Sequence, residues 1–279
     1  MGEYRHPEVL VNTDWVAAHL DDPKVRLVEV DVDTTAYDKR HIEKAIAWNW
    51  TWQLQDIVRR DLLNRRQMDG LLSESGIARD TTVVLYGDNN NWFAVHALWQ
   101  LKYYRHPDAR LMNGGRKKWE LEGRPFTTYA SRFARTHYKT RGPDEALRAR
   151  RDQVFLAVKN RKTNLLDVRS PEEFTGRVIA PPGMAETAQR GGHIPGALNV
   201  PWDKATNEDG TFKSYDELAQ LYRALKPKRE TITYCRIGER SSHTWFVLKY
   251  LLGFEQVRNY DGSWTEWGNL VGAPIVEGA

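Results

Sequence analysis

The chain has 279 residues, of which 41 are basic and 37 acidic, so its formal net charge is +4; 41% of the residues are hydrophobic and 28% are charged. This length suits about two domains at roughly 150 residues each, and the composition excludes a disordered, collagen-like or membrane-spanning chain. Because no long basic run stands beside stacking aromatic residues, we expect no nucleic-acid partner. The mild positive charge would attract small anions.

Short apolar segments bounded by polar or glycine residues recur along the chain and predict buried parallel strands. They are Leu27–Val30, Val83–Tyr86, Leu165–Val168 and Thr231–Tyr234. One helix is predicted to open at Ser170, followed by a proline at the first helical position, and another opens at Ser214. A third is predicted over Ser241–Leu252, with Gly253 as its stop signal. Strands that alternate with helices indicate an α/β fold in which helices flank a parallel sheet.

The two halves of the sequence resemble each other. Three residue pairs share a separation of 148 positions: Tyr86 with Tyr234, Gly114 with Gly262, and Trp119 with Trp267. In addition, LVEVD (27–31) matches LLDVR (165–169), and HIEKAI (41–46) matches HIPGAL (193–198). Matches in the same order at nearly constant spacing predict two copies of one fold. We expect a first domain over residues 1–130, a basic linker over 131–150 and a second domain over 151–279.

Cys235 is the single cysteine of the chain. One thiol excludes an internal disulfide framework and any multi-cysteine metal site. The eight histidines show no HxxxH or HxH spacing, so we expect neither a metal nor a cofactor. The first ten residues carry charges where a secretion signal needs an apolar stretch, and no apolar run reaches the roughly 18 residues that a bilayer requires. These features predict a cytoplasmic protein without a membrane partner.

Cys235 directly follows a predicted strand and is separated from a predicted helix by a short loop that includes Arg236, Gly238 and Arg240. Ligands of open α/β sheets bind beyond the carboxyl ends of strands, where loop N–H groups and a helix N-terminus favour negative charge. Two neighbouring arginines should lower the pKa of the thiol and make it a nucleophilic thiolate. The alternative is an inert buried cysteine. Gly87 occupies the matching position of the first copy, so that copy should lack this chemistry.

Four segments together resemble the two-domain rhodaneses, which are thiosulfate sulfurtransferases. They are DVRSPEEF (Asp167–Phe174), GHIPGALNVP (Gly192–Pro201), YCRIGERS (Tyr234–Ser241) and YDGSWTEW (Tyr260–Trp267), with a degraded version, LMNGGRKKW (Leu111–Trp119), in the first copy. The resemblance covers nearly the whole chain. It implies two tandem rhodanese-like domains of α/β fold, an inactive one over residues 1–130 and a catalytic one over residues 151–279.

The resemblance also implies a thiosulfate:cyanide sulfurtransferase whose nucleophile is Cys235. The thiolate would take the outer sulfur of thiosulfate, a small anionic donor, and carry it as a persulfide to cyanide or a thiol acceptor. The implied substrate-binding loop is Arg236, Ile237, Gly238, Glu239, Arg240 and Ser241. Its N–H groups would hold the negative persulfide, and the two arginines would neutralise the dianionic donor.

Several residues outside the loop are expected to support it. Asp167 and Arg169 match the family's DxR element and should form an ion pair that braces the loop. Trp92 and Phe93 lie where the family places aromatic residues that line the active-site cleft, with packing on a helix face as the alternative. Glu173 is expected to be a solvent-facing helix carboxylate.

Two alternative functions remain open from the sequence, and a third is disfavoured. Thiosulfate-specific vertebrate rhodaneses carry lysine where this chain has Ile237 and arginine where it has Glu173, so 3-mercaptopyruvate is an alternative sulfur donor; Arg236 favours thiosulfate. The protein could also be a persulfide carrier that hands sulfur to a protein partner. Cysteine phosphatases of related fold have a longer loop that ends in arginine six residues after the cysteine, where this chain has Ser241. The shorter loop therefore argues against phosphatase activity.

Overall fold

The structure is a computed structural model that describes residues 2–183 and 187–278. The chain divides into two units. The first unit comprises Glu8–Asp144 and Thr206–Phe212, and the second comprises Met1–Pro7, Glu145–Ala205 and Lys213–Ala279. Each unit thus includes a short segment from the other half of the sequence. Residues 131–144, placed in the predicted linker, group with the first unit, while the domain limits given above stay a prediction.

The first unit contains a five-stranded parallel sheet in the order β1-β5-β4-β2-β3. Its strands are β1 (Leu10–Val11), β2 (Val25–Asp31), β3 (Ile46–Asn49), β4 (Thr82–Tyr86) and β5 (Ala109–Met112). Its helices are α1 (Thr13–Ala18), α2 (Thr35–Lys39), α3 (Trp50–Gln53), α4 (Arg65–Glu74), α5 (Trp92–Tyr103) and α6 (Gly115–Leu121). The central strands β2 and β4 are almost entirely buried, as expected of strands covered on both faces.

The second unit contains a four-stranded parallel sheet in the order β7-β6-β8-β9. Its strands are β6 (Asn164–Asp167), β7 (Ala197–Asn199), β8 (Thr231–Tyr234) and β9 (Val257–Asn259). Its helices are α7 (Arg151–Asn160), α8 (Pro171–Thr175), α9 (Tyr215–Leu221), α10 (Glu239–Phe246) and α11 (Ser263–Trp267). Capping boxes open α8 and α9, as predicted from Ser170 and Ser214. The expected α/β class, with helices flanking parallel sheets, is confirmed.

The predicted repeat is visible in both the topology and the contacts. The order β5-β4-β2-β3 in the first unit corresponds to β9-β8-β6-β7 in the second. In the first unit, the Ile42 N–H donates to the hydroxyl of Tyr86 at 3.3 Å; in the second, the Ile194 N–H donates to the hydroxyl of Tyr234 at 3.1 Å. Each tyrosine ends the strand that precedes the loop at Gly87 or Cys235. The two copies therefore share the framework that positions this loop.

The helix after Cys235 differs from its predicted form. It begins at Glu239, two residues before the predicted Ser241, and its α-helical part ends at Phe246. A π-helical segment, Val247–Leu251, continues it to the predicted stop at Gly253, whose φ is +77°. The early start brings the side chain of Glu239 into the first turn, close to the cysteine. In the part of the chain that the structure describes, no helix is both long and apolar enough to span a membrane.

Candidate active site

Cys235 lies between the end of β8 and the start of α10, and its side chain is fully buried. Its Sγ accepts a hydrogen bond from the N–H of Gly238 at 3.2 Å, and the hydroxyl oxygen of Ser241 lies 3.6 Å from the sulfur. The thiol itself donates to Oε2 of Glu239 at 3.3 Å. The backbone N–H of Cys235 donates to the Ser263 hydroxyl at 3.0 Å. The loop thus curls around the sulfur, with the N–H of Gly238 and the carboxylate of Glu239 directed at it.

Gly238 is required for this curl. Its φ is +98°, and an added Cβ would lie 2.6 Å from Cα of Asp261, which is too close for any side chain. The amide of Asn259 donates to the Gly238 carbonyl at 2.9 Å and its Oδ1 accepts from the Ser241 hydroxyl at 2.6 Å. The segment from β9 to α11 therefore holds the loop in place from behind.

A buried ion pair fixes that supporting segment. Arg148 donates to both carboxylate oxygens of Asp261, at 2.8 and 2.7 Å, in a two-pronged arrangement that sets both distance and direction. Sequence reasoning missed Arg148, because it lies in the predicted linker among many exposed basic residues. Nothing in the local pattern distinguishes it, since its partner is 113 positions away.

Glu173 is not the solvent-facing carboxylate that we expected. It is 1% exposed and accepts hydrogen bonds from both terminal nitrogens of Arg240, at 2.8 and 3.0 Å. The expectation followed from the place of Glu173 in a capping box with Ser170, which is present but does not exclude a second partner. This ion pair connects the start of α8 to the start of α10. It places the positive charge of Arg240 against a buried carboxylate.

The predicted lowering of the Cys235 pKa is wrong. Burial raises the pKa of the thiol, and the nearby charge of Glu239 raises it further; the charge of Arg240 and the hydrogen bonds of Ser241 act in the opposite direction without prevailing. The sequence shows two basic neighbours, but it shows neither the full burial of the sulfur nor the engagement of Arg240 by Glu173. The resting group is therefore a neutral thiol.

The raised pKa predicts slow alkylation at neutral pH. Since only the thiolate reacts, the rate of iodoacetamide addition should keep rising with pH beyond the usual cysteine midpoint of about 8.5. Intact mass followed over time at a series of pH values measures this rate, and the single cysteine makes assignment direct. A midpoint below about 7 would restore the original expectation of a stabilised thiolate.

Asp167 and Arg169 form a fully buried ion pair at the end of β6. Nη2 of Arg169 lies 2.6 Å from Oδ2 of Asp167 and also donates to the carbonyl of Gly192 at 2.7 Å. The guanidinium stacks over the ring of Trp264, 4.4 Å from its centre. The pair therefore links β6 to α11, which carries the hydrogen-bond partners of the cysteine loop. Its role in bracing that loop stays a prediction.

The remaining predicted residues lie in the cysteine loop and at the start of α5. Arg236 and Ile237 are both buried in the loop, and the Arg236 carbonyl accepts from the N–H of Thr265 at 3.0 Å. Trp92 and Phe93 belong to the first unit, where they begin α5. Phe93 packs within its own unit against Trp50, with ring centres 5.0 Å apart. A role for the two aromatic residues in lining a cleft stays a prediction.

The matching loop of the first unit cannot hold a cysteine in the same way. A Cβ at Gly87 would lie 2.4 Å from the carbonyl oxygen of Val30, so no side chain fits there. The loop also follows another path, because Asn89, Asn90 and Asn91 all have positive φ. This explains in steric terms why the first copy has glycine where the second has Cys235. Among the residues described, no group of three or more His, Cys, Asp or Glu side chains could hold a metal ion.

Comparison with known proteins agrees with this architecture. Two segments, residues 12–122 and 151–270, match the family model described as "Rhodanese-like domain". A Mycolicibacterium smegmatis protein named "Putative thiosulfate sulfurtransferase" is 56% identical over 275 residues, covering 98% of this chain and 99% of that protein. A Thermus thermophilus protein named "Sulfur carrier protein TtuD" is 54% identical over 281 aligned positions, covering 99% of each.

Solved structures share the fold at lower identity. The 3-mercaptopyruvate sulfotransferase SseA of Escherichia coli superposes with a TM-score of 0.80 at 23% identity, covering 92% of this chain and 98% of that one. The anaerobic ergothioneine biosynthesis enzyme of Chlorobium limicola gives a TM-score of 0.87 at 24% identity, covering 100% of this chain and 72% of its own. Similarity at this level shows the fold alone.

The two matched segments and the two parallel sheets define a protein with tandem rhodanese-like domains. The chain belongs to the rhodanese family. It is accordingly a sulfurtransferase, which takes sulfur from a donor and passes it to an acceptor.

Proposed function

We propose that this protein transfers the outer sulfur of thiosulfate to cyanide or to a small thiol through a persulfide on Cys235. The observation that carries the proposal is the position of Sγ at the start of α10. There it accepts a hydrogen bond from the Gly238 N–H and lies 3.6 Å from the Ser241 hydroxyl. Such donors, fixed in advance in a buried site, stabilise negative charge that forms on sulfur. The thiosulfate donor is supported by the name of the M. smegmatis relative, at 56% identity over nearly the full length.

The first half of the reaction loads the enzyme. The Cys235 sulfur, once deprotonated, attacks the outer sulfur of thiosulfate and a new S–S bond forms. The bond between that outer sulfur and the sulfonate sulfur breaks, and its electron pair leaves with sulfite. The backbone N–H of Gly238 donates to the reacting sulfur, and the hydroxyl of Ser241 lies beside it. Splitting the transfer into two displacements is the advantage of a covalent intermediate.

The second half returns the enzyme to its starting state. Cyanide or a thiol attacks the terminal sulfur of the persulfide, and the electron pair of the S–S bond returns to Cys235. We propose Arg236, Ile237, Gly238, Glu239, Arg240 and Ser241 as the binding loop in both halves. Arg236, which is buried in the loop directly after Cys235, is the residue that we propose to attract the anionic donor.

Intact mass spectrometry tests the proposal. Protein mixed with excess thiosulfate should gain one sulfur atom, and cyanide should remove it. Because the chain has one cysteine, the gained mass can be assigned to Cys235. A parallel sample with 3-mercaptopyruvate compares the two donors, and we expect faster loading from thiosulfate. No gain from either donor would overturn the persulfide mechanism, and faster loading from 3-mercaptopyruvate would reassign the donor.

A protein acceptor is the second candidate. The T. thermophilus relative, 54% identical over 99% of both chains, is named a sulfur carrier protein. If this chain also delivers sulfur to a partner protein, the persulfide-loaded form should retain a protein that the unloaded form does not. A pull-down with both forms measures this difference, and equal recovery from the two would count against a carrier role.

A further inference from the structure

The carboxylate of Glu239 faces the thiol of Cys235 inside the protein. Its Oε2 accepts the hydrogen bond of the thiol at 3.3 Å, and the residue is 0% exposed. Its second oxygen, Oε1, makes no hydrogen bond among the described residues and lies 3.7 Å from Nε of Arg240. A buried carboxylate that keeps one oxygen free of hydrogen bonds is costly, so its placement against the sulfur calls for a reason beyond packing.

We propose that Glu239 is a catalytic residue that accepts the proton of Cys235 when the sulfur attacks the donor. This inference rests on the persulfide mechanism proposed above. The reaction needs a proton acceptor, because the resting sulfur is a neutral thiol and the thiolate is the nucleophile. Bulk water cannot serve directly, since the thiol is fully buried. Glu239 lies within hydrogen-bond reach of the proton that must leave, which is the first requirement of a general base.

Among the buried carboxylates described near the loop, Glu239 is the one that faces the thiol without accepting a hydrogen bond from an arginine. Glu173 is held by both terminal nitrogens of Arg240, and the carboxylate of Asp261, behind the loop, is held by Arg148. Both carboxylates are thus engaged by arginines. The cationic side chains of the region cannot accept a proton, and this includes the loop residue Arg236.

The same holds for the buried pair on β6. The Asp167 carboxylate accepts hydrogen bonds from Arg169. Of the other polar contacts of Sγ described for this unit, the Gly238 N–H is a donor, and the Ser241 hydroxyl, which donates to Oδ1 of Asn259, is not basic enough to take the proton of a thiol. The contact with Glu239 is therefore the one through which the sulfur can lose its proton.

The internal repeat supports the assignment independently. At the separation of 148 positions, Gly87 corresponds to Cys235 and Asn91 to Glu239. The copy without the thiol carries an amide there, and Asn91 uses its Oδ1 to accept the N–H of Gly87 at 2.9 Å. In that copy, the side chain at this position closes its own loop by a backbone hydrogen bond. In the second copy, the corresponding side chain is the ionisable Glu239, which contacts the sulfur of Cys235.

The proton balance closes over the two displacements. In the loading half, the S–H bond of Cys235 breaks and its proton moves to Oε2 of Glu239, while sulfite leaves with the electron pair of the donor's S–S bond. Glu239 is then neutral beside the negative persulfide, so the two do not repel each other. In the second half, the thiolate returns as the acceptor departs, and Glu239 gives the proton back.

Glu239→Gln tests this role. At about pH 6, we expect the variant to load sulfur from thiosulfate roughly a hundredfold more slowly than the wild type, since general-base effects are of this size. Its loading rate should then rise with pH as hydroxide replaces the missing base. Removing the negative charge should also lower the pKa of Cys235, so its alkylation by iodoacetamide should begin at lower pH. A lower thiol pKa combined with slower loading is a signature that a merely structural role would not give.

Two further variants serve as controls. Glu239→Asp keeps a carboxylate and should recover part of the rate with the pH profile of the wild type. Glu172→Gln removes an exposed acidic charge from α8 and should load like the wild type. If Glu239→Gln loads as fast as the wild type at about pH 6, or faster, the proton-acceptor role is wrong although the persulfide mechanism stands. If the wild type itself does not load, the proposed function is what fails.

Discussion

Cys235→Ser should abolish sulfur loading and reduce thiosulfate:cyanide transfer by at least about 10³-fold, the scale typical when a covalent nucleophile is removed. A serine hydroxyl is a much weaker nucleophile than a thiolate and would need activation by an adjacent base. The chain has no second cysteine that could take over. Intact mass after thiosulfate treatment and the rate of thiocyanate formation measure the two effects.

The variant should retain the wild-type fold. A serine hydroxyl can still donate to Glu239 and accept from the Gly238 N–H, which are the contacts that the thiol makes now. The midpoint temperature of thermal unfolding should therefore stay close to that of the wild type. If it decreased greatly, the loss of activity would no longer test the nucleophile alone. Transfer at the wild-type rate by a folded Cys235→Ser protein would place the chemistry on another residue.

The sequence was sufficient for the architecture because the decisive signals are local or repeated. Apolar segments mark the central strands, and the shared spacing of Tyr86 with Tyr234 marks the two copies. The structure adds that both tyrosine hydroxyls accept the corresponding isoleucine N–H. The position of Cys235 between a strand and a helix was also predictable, since it depends on neighbours in sequence.

The electrostatics of the site were not predictable in the same way. Arg240 lies five positions from Cys235 and its charge does act to lower the pKa of the thiol, but burial of the sulfur and the charge of Glu239 outweigh it. The guanidinium of Arg240 is also held by Glu173, 67 positions away. The burial of the sulfur depends on β9 and α11, whose residues Asn259 and Ser263 bind the loop. Tertiary packing brings such partners together, and no periodicity in the sequence indicates them. The prediction of a lowered thiol pKa failed for this reason.

The helix start is a smaller example of the same limit. Ser241 is a conventional N-cap residue, so the sequence favoured a helix beginning there. In the structure, Gly238 occupies the cap position with a positive φ, and the helix begins at Glu239. The hydroxyl of Ser241 donates instead to Oδ1 of Asn259 and lies beside the cysteine sulfur. A loop that curls around the cysteine sulfur thus overrides the local preference.

Glu173→Ala should lower the free energy of unfolding by about 3–5 kcal/mol, because it removes the carboxylate that both terminal nitrogens of the buried Arg240 bind. Chemical denaturation with a folded baseline measures this value. The double variant Glu173→Ala/Arg240→Ala removes both charges and should be closer to the wild type than the sum of the single variants. Glu172→Ala, on the exposed side of the same turn, should change stability by less than about 0.5 kcal/mol.

The effect of Glu173→Ala should also depend on pH in a defined direction. Burial acts to raise the pKa of Glu173, but the hydrogen bonds and charge of Arg240 outweigh it and hold that pKa below its usual range. A carboxylate with a lowered folded-state pKa contributes stability above its unfolded pKa and loses it as the pH falls through the folded value. The stability gap between wild type and Glu173→Ala should therefore be largest near neutral pH and shrink on acidification below about pH 4. A gap that stays constant into strong acid would show that the ion pair is not its source.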